Sequence, residues 1–192
     1  MSGQWPGDDD RVDEDAESEV EETDEEEDEP ELRVGSHDQE GIDIPDEVEL
    51  LEGEVRSARR GVAVVASRTN ERVANELLGA AFDELEKIGV GREHVTVMLV
   101  PGAFELALGA MALAKTRRYS CVVALGDATG SPVLAAEAAS GLQLAALETG
   151  IPVAFGVLIE EGDAAASGAE AVRRGLEMAD VFQQLRAAAK AS

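Results

Sequence analysis

The sequence predicts an α/β sandwich built on a four-stranded parallel sheet, and three observations lead there. Short β-branched runs alternate with segments of helical periodicity from Gly61 onward. The runs are apolar on both faces, as strands covered from two sides must be. Each is followed by a segment long enough for a helix, the rhythm of β-α-β crossover units. A chain of 192 residues can bury one such core.

The elements follow in order. Residues 61–67, GVAVVAS, form the first strand and end in the polar Ser67-Arg68-Thr69-Asn70. Val73, Leu77, Ala80, Ala81, Leu85 and Ile88 then recur three and four apart, the spacing of a helix stopped by Gly89 and Gly91. HVTVMLV (94–100) is the second strand, broken by Pro101-Gly102, and 103–116 is a helix of small and apolar residues. SCVVALG (120–126) is the third strand. Ser131 and Pro132 suit the N-cap and first position of a helix running to about Glu148. IPVAFGVLI (151–159) is the fourth strand, and the last helix runs from Gly168 to about Lys190. Such a domain is a flavodoxin-like three-layer sandwich, in which ligands bind beyond the carboxyl ends of the strands. Those ends are 67–70, 100–105, 126–131 and 157–162.

Charge divides the chain in two. Residues 1–50 carry 23 Asp and Glu against Arg11 and Arg33, so most of the formal net charge of −25 belongs to this segment and not to the fold. Between 8 and 31 the acids are almost continuous, and such a run repels itself and buries too little apolar surface to offset the cost of ordering. The expectation is a disordered acidic tail over 1–50 and a folded domain over 51–192. Within the latter, LEGEVRS (51–57) suits a short extra strand. No basic-then-apolar leader opens the chain and no apolar run is long enough for a membrane span. The single cysteine, Cys121, lies in a buried-strand pattern, fits a reducing cytoplasm and reads as inert packing. No Cys/His metal cluster, nucleotide-binding glycine loop or basic nucleic-acid patch is present, so no cofactor, metal or nucleic acid is expected.

Several short motifs form a set. They are Ala66-Ser67-Arg68-Thr69-Asn70, Val100-Pro101-Gly102-Ala103-Phe104-Glu105-Leu106 and Ala124-Leu125-Gly126, followed by Leu147-Glu148-Thr149-Gly150-Ile151-Pro152-Val153, Phe155-Gly156-Val157 and Leu176-Glu177-Met178-Ala179-Asp180. In order and spacing this set resembles the lumazine synthases of riboflavin biosynthesis over roughly 52–186. The resemblance implies that Ala103 and Glu105, in the turn Gly102–Glu105, face a ribityl chain. It implies that Phe155 approaches a neighbouring subunit's site, that 51–57 pairs with a neighbour, and that the chain forms homo-oligomers, pentamers or an icosahedral shell of pentamers.

The chemistry of that family does not carry over. Its loop after the Leu-Gly is longer and holds an Arg-Gly-x-Thr-x-His pattern for substrate phosphate and proton transfer. Here GDATGSPVLAAEAAS (126–140) is shorter and has no histidine, a group suited to moving protons near neutrality. The aromatic that would stack on substrate is Thr69, which offers no such surface. The basic segment before the last helix is replaced by LIEEGDAAAS (158–167), whose Glu160, Glu161 and Asp163 repel a phosphate ester. His94 stands at the far end of its strand, ~20 Å from the strand tips. No catalytic residue is therefore assigned, and Ser67, Thr69, Asn70, Gly102, Ala103, Phe104, Glu105, Gly126, Asp127, Gly130, Ser131 and Phe155 are the vestigial ligand-binding set. Gly102 and Phe104 can alternatively just turn the chain and fill the core, and Gly130-Ser131 can hold an anion or simply cap a helix.

The expected function is a non-catalytic, self-assembling relative whose acidic tail recruits basic partners or cargo. One alternative is an active riboflavin-pathway enzyme. This would be a divergent lumazine synthase or an archaeal-type riboflavin synthase, to which Glu137-Ala138-Ala139-Ser140-Gly141-Leu142 is similar. Another is a flavin- or lumazine-binding module.

Overall fold

The structure, a computed structural model, describes residues 44–45, 47–57 and 61–191. Four parallel strands, β1 (Gly61–Ser67), β2 (Val95–Val100), β3 (Tyr119–Asp127) and β4 (Val153–Leu158), form one sheet in the order β2-β1-β3-β4. Four helices join and follow them: α1 (Glu71–Ile88), α2 (Leu106–Lys115), α3 (Pro132–Thr149) and α4 (Ala164–Ala191). The flavodoxin-like reading of the folded part is correct. From β1 the chain moves one way to β2, then returns past β1 to β3. This places the reversal of strand order, and the crevice it opens, between the carboxyl ends of β1 and β3.

Side-chain alternation along β1 decides what covers each face. Val62, Val64 and Ala66 pack with Leu77 and Leu85 of α1 and Leu176 of α4, while Ala63 and Val65 pack with Leu106 and Leu113 of α2 and Leu142 of α3. Cys121 is fully buried in the first of these layers. Across that layer Glu84 of α1 accepts a bond from Arg173 Nε of α4 at 2.6 Å. This bond, with Lys87 nearby, holds the Glu84 carboxyl below its ordinary range despite burial.

Several element boundaries differ from the expectation: β3 is Tyr119–Asp127 and not 120–126, and β4 is Val153–Leu158 and not 151–159. His94 does not begin a strand but ends a single 3-10 turn, Arg92–His94, ahead of β2. A second such turn, Ala103–Glu105, precedes α2. The last helix starts at Ala164, four residues early, because Asp163 caps it: its Oδ1 accepts from Ala166 N at 3.0 Å. The last four residues of the segment expected as a loop, 164–167, are thus helix, and one of its three acids is a structural cap.

Residues 51–57 lie along α4 and are not part of the chain's own four-stranded sheet. Glu54 N donates to Asp180 Oδ2 at 3.0 Å, Arg56 Nε donates to Asp180 Oδ1 at 2.6 Å, and Gln184 Nε2 donates to the Glu52 carbonyl at 3.0 Å. Burial opposes charge on Asp180, which is 5% exposed, but the Glu54 N–H, the Gln184 amide and Arg56 outweigh it and lower its pKa. The expected acidic tail falls, over 1–43, outside the described residues. No helix among the described residues is long and apolar enough to cross a membrane.

Candidate functional site

The crevice between β1 and β3 is built by two strand ends. β1 stops at Ser67, where the Arg68 N–H turns to the Val100 carbonyl at 3.0 Å and so binds the exit of β1 to the exit of β2. Thr69 Oγ1 donates to the Pro101 carbonyl at 3.1 Å and draws the same two loops together. Asn70 then serves two elements. Its Oδ1 accepts from Val73 N at 3.4 Å as the N-cap of α1, and its Nδ2 donates to Asp127 Oδ2 at 2.9 Å.

On the other bank, Asp127 ends β3, and its Oδ1 accepts from Thr129 N at 2.9 Å. Partial burial alone would raise its pKa. Bonds from Thr129 and Asn70, together with the Arg72 charge, outweigh that and hold the carboxyl below its ordinary range. One hydrogen bond therefore spans the crevice, between an anionic acceptor and a neutral amide donor.

The connection from β3 to α3 is too short to be a loop of any reach. Ser131 N donates to the Ala128 carbonyl at 3.1 Å, closing a turn in which Gly130 takes φ +78°. A side chain there would be strained in the left-handed region. Ser131 precedes Pro132 as expected, yet its hydroxyl makes no capping bond; its carbonyl accepts from Ala135 N at 3.0 Å. The expected side-chain cap is thus replaced by backbone alone. Beneath the crevice Gly126 allows close packing, since a Cβ there would lie 2.8 Å from Leu106 Cδ1 and 3.0 Å from Ser67 Oγ.

The turn after β2 lies beside this crevice. Gly102 has extended backbone, and a Cβ on it would sit 3.2 Å from Glu105 Oε2 and 3.3 Å from Thr69 Oγ1. Ala103 is buried, whereas Phe104 is 72% exposed and fills no core. The packing alternative for Phe104 is overturned: the 3-10 turn points it away from the sheet.

The structure brings Ser67, Thr69, Asn70, Gly102, Glu105, Gly126 and Asp127 together and holds Phe155 apart. Phe155 lies on β4, in register with Ala124, three residues before Asp127. That is ~10 Å below the strand tips. It separates two clefts. One, of about 470 Å³, runs between Phe155, Ile159 and the Ala135, Ala136 and Ala139 face of α3. The other, of about 530 Å³, runs toward Ser167, Arg173 and Arg174 of α4. Sequence reasoning missed the first cleft, although the small residues recurring at 135, 136 and 139 are the signal that could have revealed a helix face left open.

His94 stands where expected, at the amino end of β2 and a strand length from the crevice. Burial pushes the Cys121 thiol up to about 12, which removes it as a nucleophile. Among the described residues no group of three or more His, Cys, Asp or Glu could hold a metal.

The chain matches the family model described as 6,7-dimethyl-8-ribityllumazine synthase over residues 60–188. It is 39% identical over 153 positions to the 6,7-dimethyl-8-ribityllumazine synthase of Yersinia pestis (strain Pestoides F), covering 71% of this chain and 98% of that protein. The same identity and coverage hold for the synthase of Yersinia pseudotuberculosis serotype O:1b (strain IP 31758). Since 71% of 192 residues is about 136, about 17 of those 153 positions stand opposite gaps in this chain. With strand order, crevice and motifs already in agreement, the chain belongs to the 6,7-dimethyl-8-ribityllumazine synthase family.

Proposed function

We propose that this member of the family has lost the condensation chemistry and serves as a self-assembling scaffold. The observation that carries the reading is the Asn70–Asp127 bond across the crevice, followed by a turn of only four residues before α3. A phosphate-holding, proton-moving loop has no place in that connection, and the residues that remain there offer no group titrating near neutrality. The acids Glu160 and Glu161 just past β4 disfavour a phosphate ester at the same rim. The gaps against the Yersinia synthases are consistent with the shortened segments.

Scaffolding is supported by apolar side chains turned outward on the α2–α3 layer: Leu108 and Leu147 are 73% and 74% exposed, with Leu144 also exposed. Such a surface calls for another copy of the chain. A homo-oligomer, in pentamers or a closed shell of pentamers, covers it, and the acidic segment then forms a dense anionic layer for basic partners. Native mass spectrometry reads subunit count and bound flavin or lumazine together, and a monomer at micromolar concentration refutes assembly.

A second reading, an active synthase, is favoured by the 39% identity spanning nearly the whole of the Yersinia enzymes. Incubation with the ribitylaminopyrimidinedione and the four-carbon phosphate decides between them. Lumazine formed well above the spontaneous rate overturns the non-catalytic reading. Riboflavin formed from lumazine alone assigns the riboflavin synthase activity instead.

A further inference from the structure

Two apolar features face different ways, and their own chain covers neither. The first is Phe104, joined by Leu108 one helical turn on, which are 72% and 73% exposed. Their direction follows from their neighbours on α2. A Cβ on Gly141 of α3 would come within 2.6 Å of Ala107 Cβ, so Ala107 faces α3. A Cβ on Gly109 would come within 2.8 Å of Val65 Cγ2, so Gly109 faces the sheet. Leu108 lies ~100° round the helix from each of these and so points out of the α2–α3 layer. Phe104, four residues earlier, shares that side.

The second feature is the cleft of about 470 Å³ on the other side of α3, along the edge strand β4. Pro132, Ala135, Ala136, Ala139, Phe155 and Ile159 wall it, with Glu160 at one end. The alanines leave the space, and the turn 128–131 is too short to fold back over it. Walls so apolar hold water poorly, whereas an aromatic ring packs well against Phe155. One chain cannot bring its own Phe104 to its own cleft, since one looks out of the layer and the other along its edge. A two-fold contact pairing Phe104 with Phe104 leaves the cleft open. A head-to-tail contact joins the two features, repeats from copy to copy and closes into a ring.

We propose that Phe104 of one copy seats against Phe155 in this cleft of the next copy, with Leu108 over its mouth. Apolar burial selects the pairing: a phenylalanine ring has ~150–250 Å² to bury, and aromatic anchors in pockets dominate interface energies. Charge permits it. Around Phe104 both signs occur, Arg68 and Arg72 with Glu71 and Glu105, while Glu137, Glu160 and Glu161 border the cleft. Arg173 and Arg174, beyond Phe155, are held by Glu84 and Glu170, and Arg72 is held by Glu76. The Arg68 guanidinium has no partner among the described residues, and its N–H ties it to Val100 beside the Phe104 turn. It is the cation that meets Glu160 of the next copy. The seated ring also closes the cleft to small molecules. This inference rests on the scaffold reading and names the surface of the next copy that covers Phe104.

Native mass spectrometry of the full-length chain tests the seat at two exposed positions, so neither change touches the core. Phe104→Glu removes the anchor and keeps the cleft, while Ala136→Trp fills the cleft and keeps the anchor. Circular dichroism checks that each variant folds, and Phe104→Ser replaces Phe104→Glu if the latter does not. Each change alone weakens the contact at least ~30-fold, the loss of a strong anchor, and abolishes the wild-type subunit count. Phe104→Leu, which keeps an apolar anchor, retains that count. The two variants are then mixed one to one at ~20 μM, where a single contact of micromolar affinity is populated. They share one productive contact, Phe104 of the filled-cleft variant in the open cleft of the anchorless one. The mixture therefore forms a heterodimer and nothing larger. A mixture that stays monomeric, or either variant retaining the wild-type subunit count, overturns the seat and leaves the scaffold reading standing. A wild-type chain that is monomeric in the same experiment overturns both.

Discussion

Removing the Asn70 side chain by Asn70→Ala tests whether the crevice is held shut by the pair described above. Two bonds disappear. The cap to Val73 N is long at 3.4 Å, so its loss belongs at the low end of measured caps, ~0.5 kcal/mol. The bond to Asp127 is charge-assisted at 2.9 Å, but partial exposure lets water replace it, which brings the usual range down to ~1 kcal/mol. The expected loss is ~1.5 kcal/mol at pH 7. Urea denaturation at fixed protein concentration measures it, which keeps any concentration dependence out of the comparison. A cycle with Asp127→Ala isolates a coupling of ~1 kcal/mol. Because the folded Asp127 pKa lies below its unfolded value, this stabilisation is fully present above pH ~3.9 and is lost as pH falls through the folded value. A coupling under ~0.3 kcal/mol at pH 7, or one that survives unchanged at pH ~2, refutes the crevice-spanning bond as a stabilising contact.

The remaining predictions concern the scaffold. Asp180→Ala strips the acceptor from Glu54 N, Arg56 and Gln184, and with Arg56 itself 37% exposed the cost is ~2–3 kcal/mol, below that of a fully buried pair. Protease attack within 51–57 should rise with it, and a destabilisation under ~1 kcal/mol contradicts the anchoring role. Two glycines should respond oppositely to alanine. Gly79 is exposed inside α1 with open space around it, so Gly79→Ala stabilises by ~0.5–1 kcal/mol. Gly130→Ala, at φ +78°, destabilises by ~1 kcal/mol. Equal signs in thermal melts refute the backbone argument. Cys121 should resist a thiol reagent at pH 8 in the native protein and react in urea; native labelling at the rate of a free thiol contradicts its burial.

Sheet and helices were legible because two-sided strands leave no ambiguity in β1 and β3: Val62 to Val65 and Cys121 to Val123 are apolar without a break. The edge strand β2 was found by its β-branched residues, although Val97 and Leu99 turn out exposed. Boundaries failed where a polar side chain acts at short range. Asp163 read as a loop acid and is a cap, while Ser131 read as a cap and is not one. Ser67, Thr69, Asn70, Gly102, Glu105, Gly126 and Asp127 could be grouped from sequence because they fall at strand ends, but the bond joining Asn70 to Asp127 could not. A hydrogen bond across 57 positions of chain leaves no local pattern to read.

The helix α4 has 28 residues and so runs ~42 Å, well past strands of six to nine residues. The arm 51–57 is fastened to this helix before the chain enters β1. A pull on the amino-terminal segment is therefore borne first by one carboxylate on a long rod, and the sheet is shielded from it. A load entering by that arm passes to the rod and not to the crevice, so the core stays still under it.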